Sequence, residues 1–252
     1  MQASDMVAQA VERYGGRSRW EHLRLTVSPR HLRGLLPWLK GNGRTFAFPP
    51  RAEVIPARAE ATFFDYPTPG SIGRFCRGMV AIEDDPLIEH RASFRGWGKL
   101  RRWTPLDALY FFGYALTHYH SLPFTLLEAE VLRTDLRRRS VTVAFPTSVH
   151  THCRVQTIFF AADGLIRRHD YVADIVGPWA RGAHFWGAYR DVSGFPLATH
   201  RRVLARIGLV TPIVALEARL EDAAIAFDEK GAHGGVPGNY LSSRRIGGIV
   251  EK

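Results

Sequence analysis

The sequence predicts a mainly β protein of the α+β kind. A single curled antiparallel sheet, a half-barrel, carries an N-terminal helix and a helical insertion that plugs the concave face. Three observations predict it. Short apolar runs bounded by Gly, Pro and Asp clusters recur along the chain, and several of the turns between them hold only two or three residues, too few for a crossover helix. Two stretches, residues 3–14 and 105–119, break that pattern with helical periodicity. About ten strands are too many for a flat open sheet, which curls and leaves a concavity for helices to cover.

The elements follow in chain order. Val7, Ala10, Val11 and Tyr14 recur at helical spacing, Ser4 or Asp5 caps the start, and Gly15-Gly16 ends the helix. Strands are expected at 21–27, 44–48, 51–55, 59–65, 73–82 and 87–93, while residues 34–40 read equally as a helical turn or an apolar strand. Thr104 is an N-cap, Pro105 suits the first helical position, and Asp107 suits the helix dipole. Leu106, Leu109, Tyr110, Gly113 and Leu116 then form one stripe, and Pro123 opens a second short helix over 123–129. Strands resume at 140–145, 149–161, 165–174, 183–192, 196–206 and 213–224. Residues 1–228 make one domain, and the tail 229–252, rich in Gly, is expected to be loose.

Composition excludes whole classes. Of 252 residues, 46% are hydrophobic and 23% charged, which excludes a disordered chain, a collagen, a disulfide mini-protein and a multi-pass membrane protein. Lys plus Arg is 34 against 24 Asp plus Glu, a formal charge of +10. The Arg residues are scattered as pairs and triplets, not gathered on one face among aromatics, so no nucleic-acid partner is expected. The two cysteines, Cys76 and Cys153, have no zinc-finger spacing and suit a reducing compartment. No signal peptide is visible at the start, and the longest apolar stretch, 106–127, is broken by Asp107, His118, His120 and Pro123. The expectation is a cytoplasmic protein with no integral membrane association. Its oligomeric state is left open.

Three stretches carry a resemblance. They are Tyr14-Gly-Gly-Arg-Ser-Arg-Trp20, the Leu106–Phe124 segment with its Leu-Tyr-Phe-Phe-Gly-Tyr-Ala core, and Thr151-His152 through Gln156, Phe160 and Gly164-Leu-Ile-Arg-Arg-His-Asp-Tyr171. Over about residues 5–225 the chain resembles a group of uncharacterised bacterial proteins related to the LolA/LolB-like lipoprotein-carrier fold. The resemblance implies a curled sheet plugged by helices and an apolar cavity, the place where LolA-like carriers hold acyl chains. The chain departs from those carriers in lacking a visible signal peptide or a lipidated cysteine near its start, so lipoprotein transport itself is not implied.

Residues 149–156, read as a strand, place His150, His152, Arg154 and Gln156 on one face. Which residues of the next strand join that face depends on the turn. A two-residue Asp163-Gly164 turn brings His169 and Tyr171 there; a three-residue loop from Ala162 brings Arg168 and Asp170. The catalytic candidates are therefore His152, His169 and Asp170, a His-centred acid–base set. Tyr110, Tyr114 and His118, four apart on the helix, share a face and are ligand-binding candidates together with Tyr171 and Arg154. His150-x-His152 with Asp170 or His169 offers three side chains of metal-ligand type, but nothing else has ligand spacing, so no metal and no cofactor are expected. No nucleophile elbow, phosphate loop or dinucleotide fingerprint occurs. Two functions survive: binding of an apolar or amphipathic small molecule of acyl, polyketide or terpenoid type, or isomerase- or cyclase-type catalysis on such a molecule in the same cavity.

Overall fold

The computed structural model describes residues 2–41, 49–207 and 210–227. Helices α1 (Ala3–Arg13) and α2 (Arg17–Glu21) precede strand β1 (Leu23–Arg33) and helix α3 (Leu35–Lys40). Strands β2 (Arg51–Ile55), β3 (Glu60–Phe64), β4 (Ile72–Cys76), β5 (Met79–Ile82) and β6 (Ile88–Glu89) form a meander. Helix α4 (Pro105–Thr125) comes next. A second meander follows: β7 (Glu130–Asp135), β8 (Ser140–Ala144), β9 (Val155–Phe160), β10 (Ile166–Val172), β11 (Arg181–Val192), β12 (Phe195–Ile207) and β13 (Val210–Phe227).

All of these strands join one antiparallel sheet in the order β6-β5-β4-β3-β2-β1-β13-β12-β11-β10-β9-β8-β7. The two meanders meet where β1 pairs with β13, from Leu23 opposite Phe227 to Arg33 opposite Glu217. The sheet does not close, so β6 and β7 are its two edges. These edges are consecutive strands in the chain. Their connection must therefore pass from one rim of the half-barrel to the other, and α4 makes that crossing. Twenty-one residues at helical rise span roughly 30 Å.

The start of α4 is built by its own sequence. The Thr104 hydroxyl accepts from the Asp107 amide at 3.3 Å, and the Asp107 carboxylate accepts from the Thr104 amide at 2.7 Å. This capping box satisfies two otherwise orphaned donors. Asp107 is fully buried and also accepts from His90 Nε2 at 2.8 Å and from the Arg101 guanidinium. Burial alone would raise its pKa, yet the bonds from His90, Arg101 and Thr104 outweigh it and hold the carboxyl well below the usual range.

Sixteen of the 21 residues of α4 are buried, so the helix has no solvated face. Its N-terminal half packs Leu109 and Tyr110 against Leu25, Val54, Phe63 and Phe75 of the first meander. Its C-terminal end packs Leu122 and Phe124 with Met6 and Ala10 of α1 and with Val141 and Ile158 of the second meander. Trp20 of α2 stacks on Phe124 with centroids 4.9 Å apart.

The predicted fold class is the observed one, with thirteen strands where about ten were expected. Several boundaries differ for physical reasons. Residues 35–40 form α3, with Gly34 just before it. The expected strand 73–82 is a hairpin, because Arg77 and Gly78 both take positive φ and turn the chain between β4 and β5. Pro123 does not begin a new helix; it sits in the last turn of α4, which runs on to Thr125 before a single 3-10 turn at Leu126–Glu128. Strand 149–161 starts only at Val155, so His150 and His152 lie on an irregular loop. Helix α2 and edge strand β7 were not anticipated. The expected strand 44–48 and tail 229–252 lie outside the described residues.

At Gly113, α4 lies directly against Phe75 of β4. A Cβ there would meet Phe75 Cγ at 2.2 Å. Gly113→Ala is therefore expected to lower stability by about 1–3 kcal/mol through overpacking, although Ala is the better helix former. Urea unfolding measures this directly. An unchanged or raised midpoint would show that helix and strand are not in this contact.

Candidate functional site

The concave face of the second meander is organised in rows across the strands. One row runs Val141, Ile158, His169, His184, Val203 and Leu216 from β8 to β13, each opposite the next. A neighbouring row places Trp186 of β11 opposite Arg201 of β12, and Arg201 opposite Ala218 of β13. Two histidines, a tryptophan and an arginine thus point at α4 from the sheet.

His169 reaches that face by an indirect route. The β9–β10 turn is the three-residue loop, with the Ala161 amide donating to the Leu165 carbonyl at 2.7 Å. That register alone would turn Asp170 inward. A bulge between Ile166 and Arg168 then shifts the pairing by one, so that His169 stands opposite Ile158. The bulge returns the outcome expected of the two-residue turn.

The loop between β8 and β9 brings further groups. Its Thr151 and His152 carbonyls accept from the Arg91 guanidinium, at 2.8 and 3.5 Å, and Arg91 also pairs with Asp174. These bonds hold the loop against the segment after β6 and so tie the two rims of the half-barrel together. The His150 ring packs against Gly78, where a Cβ would meet its Cε1 at 2.4 Å.

Tyr110, Tyr114 and His118 of α4 meet this loop as one face. The Tyr114 ring stacks on His152 at 3.6 Å and on His118 at 5.0 Å, and Tyr110 also stacks on His152 at 5.1 Å. Gln156 joins helix and sheet. Its amide nitrogen donates to the Thr151 hydroxyl at 2.7 Å and the Cys153 carbonyl at 2.6 Å. That arrangement leaves its oxygen to accept from both His118 Nε2, at 3.3 Å, and His169 Nε2. Tyr119 donates to Tyr171 at 3.1 Å and lies edge-on to His184 with centroids 4.6 Å apart.

Burial keeps these imidazoles neutral. His118 and His150 are lowered to about 4 and His120 to about 3, chiefly by desolvation. The same cause holds His152, His169 and His184 well below the ordinary value. Several ring nitrogens have no partner: His152 Nε2, His169 Nδ1, His120 Nε2 and both nitrogens of His184. Arg201 Nη1 and Trp186 Nε1 are orphaned in the same region. Buried polar groups usually have partners, so this concentration of unpaired ring nitrogens sets the layer apart from an ordinary core.

Of the catalytic candidates, His152 and His169 are brought to this layer, each buried. Asp170 is not. It lies on the outer face, where Arg168 grips it in a two-pronged pair at 2.7 and 2.8 Å and Arg206 adds a third bond at 2.7 Å. The two residues are neighbours on a strand, and alternation sends them to opposite faces. Arg154 also lies outside, exposed, with its Nε donating to the Phe145 carbonyl at 3.1 Å. Tyr171 is half-buried at the edge of the layer. His184, Trp186 and Arg201 were not singled out in the sequence. Among the described residues no three His, Cys, Asp or Glu side chains are grouped to hold a metal ion, and no helix is long and apolar enough to cross a membrane.

Two apolar clefts adjoin the layer. One, of about 60 Å³, lies between α4 and β11–β13, with Phe112, Leu116, His184 and Arg201 in its walls. The other, of about 100 Å³, lies beneath α3 and the 173–182 segment, with Leu36, Val176 and Tyr171 in its walls. Phe111, Val203 and Leu216 line both. A larger concavity, about 680 Å³, is a polar groove on the outer face around Arg133, Arg138, Arg168, Asp170 and Arg206.

Among solved structures the chain is similar to a LolA superfamily protein, NE2245, from Nitrosomonas europaea, at 9% identity over 89% of this chain and 93% of that one, with a TM-score of 0.49. It is also similar to a DUF1329 family protein from Desulfovibrio piger, at 10% identity over 91% of this chain and 93% of that one, with a TM-score of 0.45. No family model and no curated protein matches the sequence.

The buried histidines make stability depend on pH. A histidine in an unfolded chain titrates near 6.5, and these titrate lower when folded. Between the two values the unfolded chain binds more protons, so stability is full above about pH 6.5 and falls as the pH drops toward 4. His184→Phe removes one such group. Urea unfolding at a series of pH values is expected to show a slope shallower by about 1.4 kcal/mol per pH unit in the variant. Equal slopes would mean that His184 titrates normally in the folded protein.

Proposed function

We propose that the protein binds an apolar or amphipathic small molecule, of acyl, polyketide or terpenoid type, between α4 and the concave face of the second meander. The carrying observation is the pair of apolar clefts that meet at Phe111, Val203 and Leu216. Their outer border is apolar too. Trp38 on α3 and Trp179 beside the second cleft are 65% and 66% exposed, and Leu35 and Leu39 are partly so. Apolar side chains held in water around an apolar opening favour entry of an apolar chain.

The clefts are smaller than the usual ligand pocket of about 300 Å³ or more. Filling them takes an outward displacement of α3 or of the Trp179 segment. Both are surface pieces, and α3 is only six residues long. In this reading the stacked Tyr110, Tyr114, His118 and His152 lie behind the clefts, whose walls take only Tyr119, His120, His184 and Tyr171 from the layer's tyrosines and histidines, and they are not a set of proton carriers. No carboxylate hydrogen-bonds to His118, His152, His169 or His184 among the described residues, which weighs against the acid–base alternative.

Fluorescence of N-phenyl-1-naphthylamine, a neutral apolar probe, tests the reading. The protein is expected to take up the probe and brighten it. Val203→Trp, which fills the junction of the clefts, is expected to reduce uptake at least tenfold, and Phe111→Ala, which widens it, to increase uptake. Uptake that is indifferent to both substitutions would place the probe elsewhere and overturn the proposal. Identifying what the purified protein carries, by native mass spectrometry and denaturing extraction, gives the natural class.

A further inference from the structure

Arg201 stands out among the cations of the molecule. It sits on a middle strand, is 9% exposed, and hydrogen-bonds to no residue that is described. Its guanidinium lies 3.8 Å from the Trp186 ring centroid. The carboxylate adjacent on β13, Glu217, is turned to the opposite face, where it is held by Arg33 at 3.0 Å and His200 at 2.8 Å. Around Arg201 stand Trp186, Tyr119, His120 and His184, of which the two histidines are kept neutral by burial. A buried cation without a counter-ion costs several kcal/mol, and stacking on one indole offsets only part of that.

The side chain is also placed to meet a ligand. Arg201 lines the smaller apolar cleft, whose other walls are Phe111, Phe112, Leu116, Val203 and Leu220. An amphipathic molecule entering from the α3 side would pass Phe111 and bring its far end to the guanidinium. His184, with neither ring nitrogen bonded, stands in the same wall as a second donor.

We infer that Arg201 is the counter-ion site for a long-chain carboxylic acid, with the chain in the apolar clefts and the carboxylate seated on the guanidinium. The inference rests on the binding reading above and specifies the polar end of its ligand. A carboxylate is favoured over a phosphate because the site holds one cation. A planar monoanion neutralises it and accepts two parallel N–H bonds, whereas a dianion would leave a net charge buried.

The experiment compares dodecanoate with its methyl ester at pH 8, by displacement of the neutral naphthylamine probe. The two ligands share a chain and differ at the head. The wild type is expected to prefer the acid by about tenfold to a hundredfold, as a buried charge-assisted bond is worth. Arg201→Met, which keeps the length and removes the charge, is expected to abolish the preference while retaining ester binding. Replacing an unpaired buried charge by an apolar side chain should not lower the melting temperature. Arg201→Lys, which keeps the charge without the fork, should give an intermediate preference. A wild type that binds acid and ester equally, or an Arg201→Met variant that still prefers the acid, overturns this assignment and leaves the binding reading standing. Failure of the wild type to bind either ligand or the probe overturns both.

Discussion

The crossing of the half-barrel by α4 is the constraint on which the rest of the structure depends. Two meanders that meet at β1 and β13 leave their outer strands, β6 and β7, at opposite edges. Those strands are also adjacent in the chain, so the connection must cross the concave face. An extended segment would bring unpaired amides into an apolar interior. A helix satisfies its own backbone, which makes it the low-cost way to pass through. The capping box and the Asp107 network then fix where the helix begins, and α1 and α2 close over its far end.

Burial on every side has a consequence for polar side chains. Thr117 and Ser121 return their hydroxyls to carbonyls one turn back, at 2.7 and 2.9 Å, and so need no partner from the sheet. His120 Nδ1 likewise donates to the Leu116 carbonyl at 2.6 Å. Tyr114, His118 and Tyr119 have no such option at their ring ends. They meet Gln156, His152, His169 and His184 instead, and a mixed aromatic layer results. Stacking satisfies the ring faces, but it leaves ring nitrogens unpaired. The layer is therefore well packed and incompletely bonded. A water-excluded site that recognises a small polar head needs both properties.

Much of this was legible in the sequence, and the exceptions have local causes. The two helices that matter, the antiparallel meanders and the shared face of Tyr110, Tyr114 and His118 followed from periodicity, Gly and Pro punctuation and helical spacing. The strand reading of 149–154 failed because alternation of polar and apolar residues also occurs in a loop held by tertiary bonds, here those from Arg91. The choice between His169 and Asp170 was undecidable because a bulge, which carries no strong composition signal, reverses the register set by the turn. Arg201 was invisible for a related reason. It lies in the run His200-Arg201-Arg202, where three consecutive polar residues erase the contrast that tells an inward position from an outward one. His184 and Trp186 were hidden by the opposite case, since Ala183 and Phe185 beside them are apolar as well.

The two arginine environments on β10 and β12 show what sets Arg201 apart. On the outer face, Arg168 and Arg206 converge on Asp170 and neutralise most of its charge within hydrogen-bond distance. That arrangement is complete in the protein alone, since the nearly buried carboxylate of Asp170 has both cations within hydrogen-bond distance. On the inner face the same residue type stands without a carboxylate, where the penalty for an unpaired charge is greatest. Packing gives no reason for a cation there, because Met or Leu would fill the space beside Trp186 and Ala218 without the electrostatic cost. Folding alone therefore does not account for Arg201. Its cost must be recovered when the cleft is filled, and an anion arriving with an apolar chain recovers it while removing from water the surface that the clefts leave open.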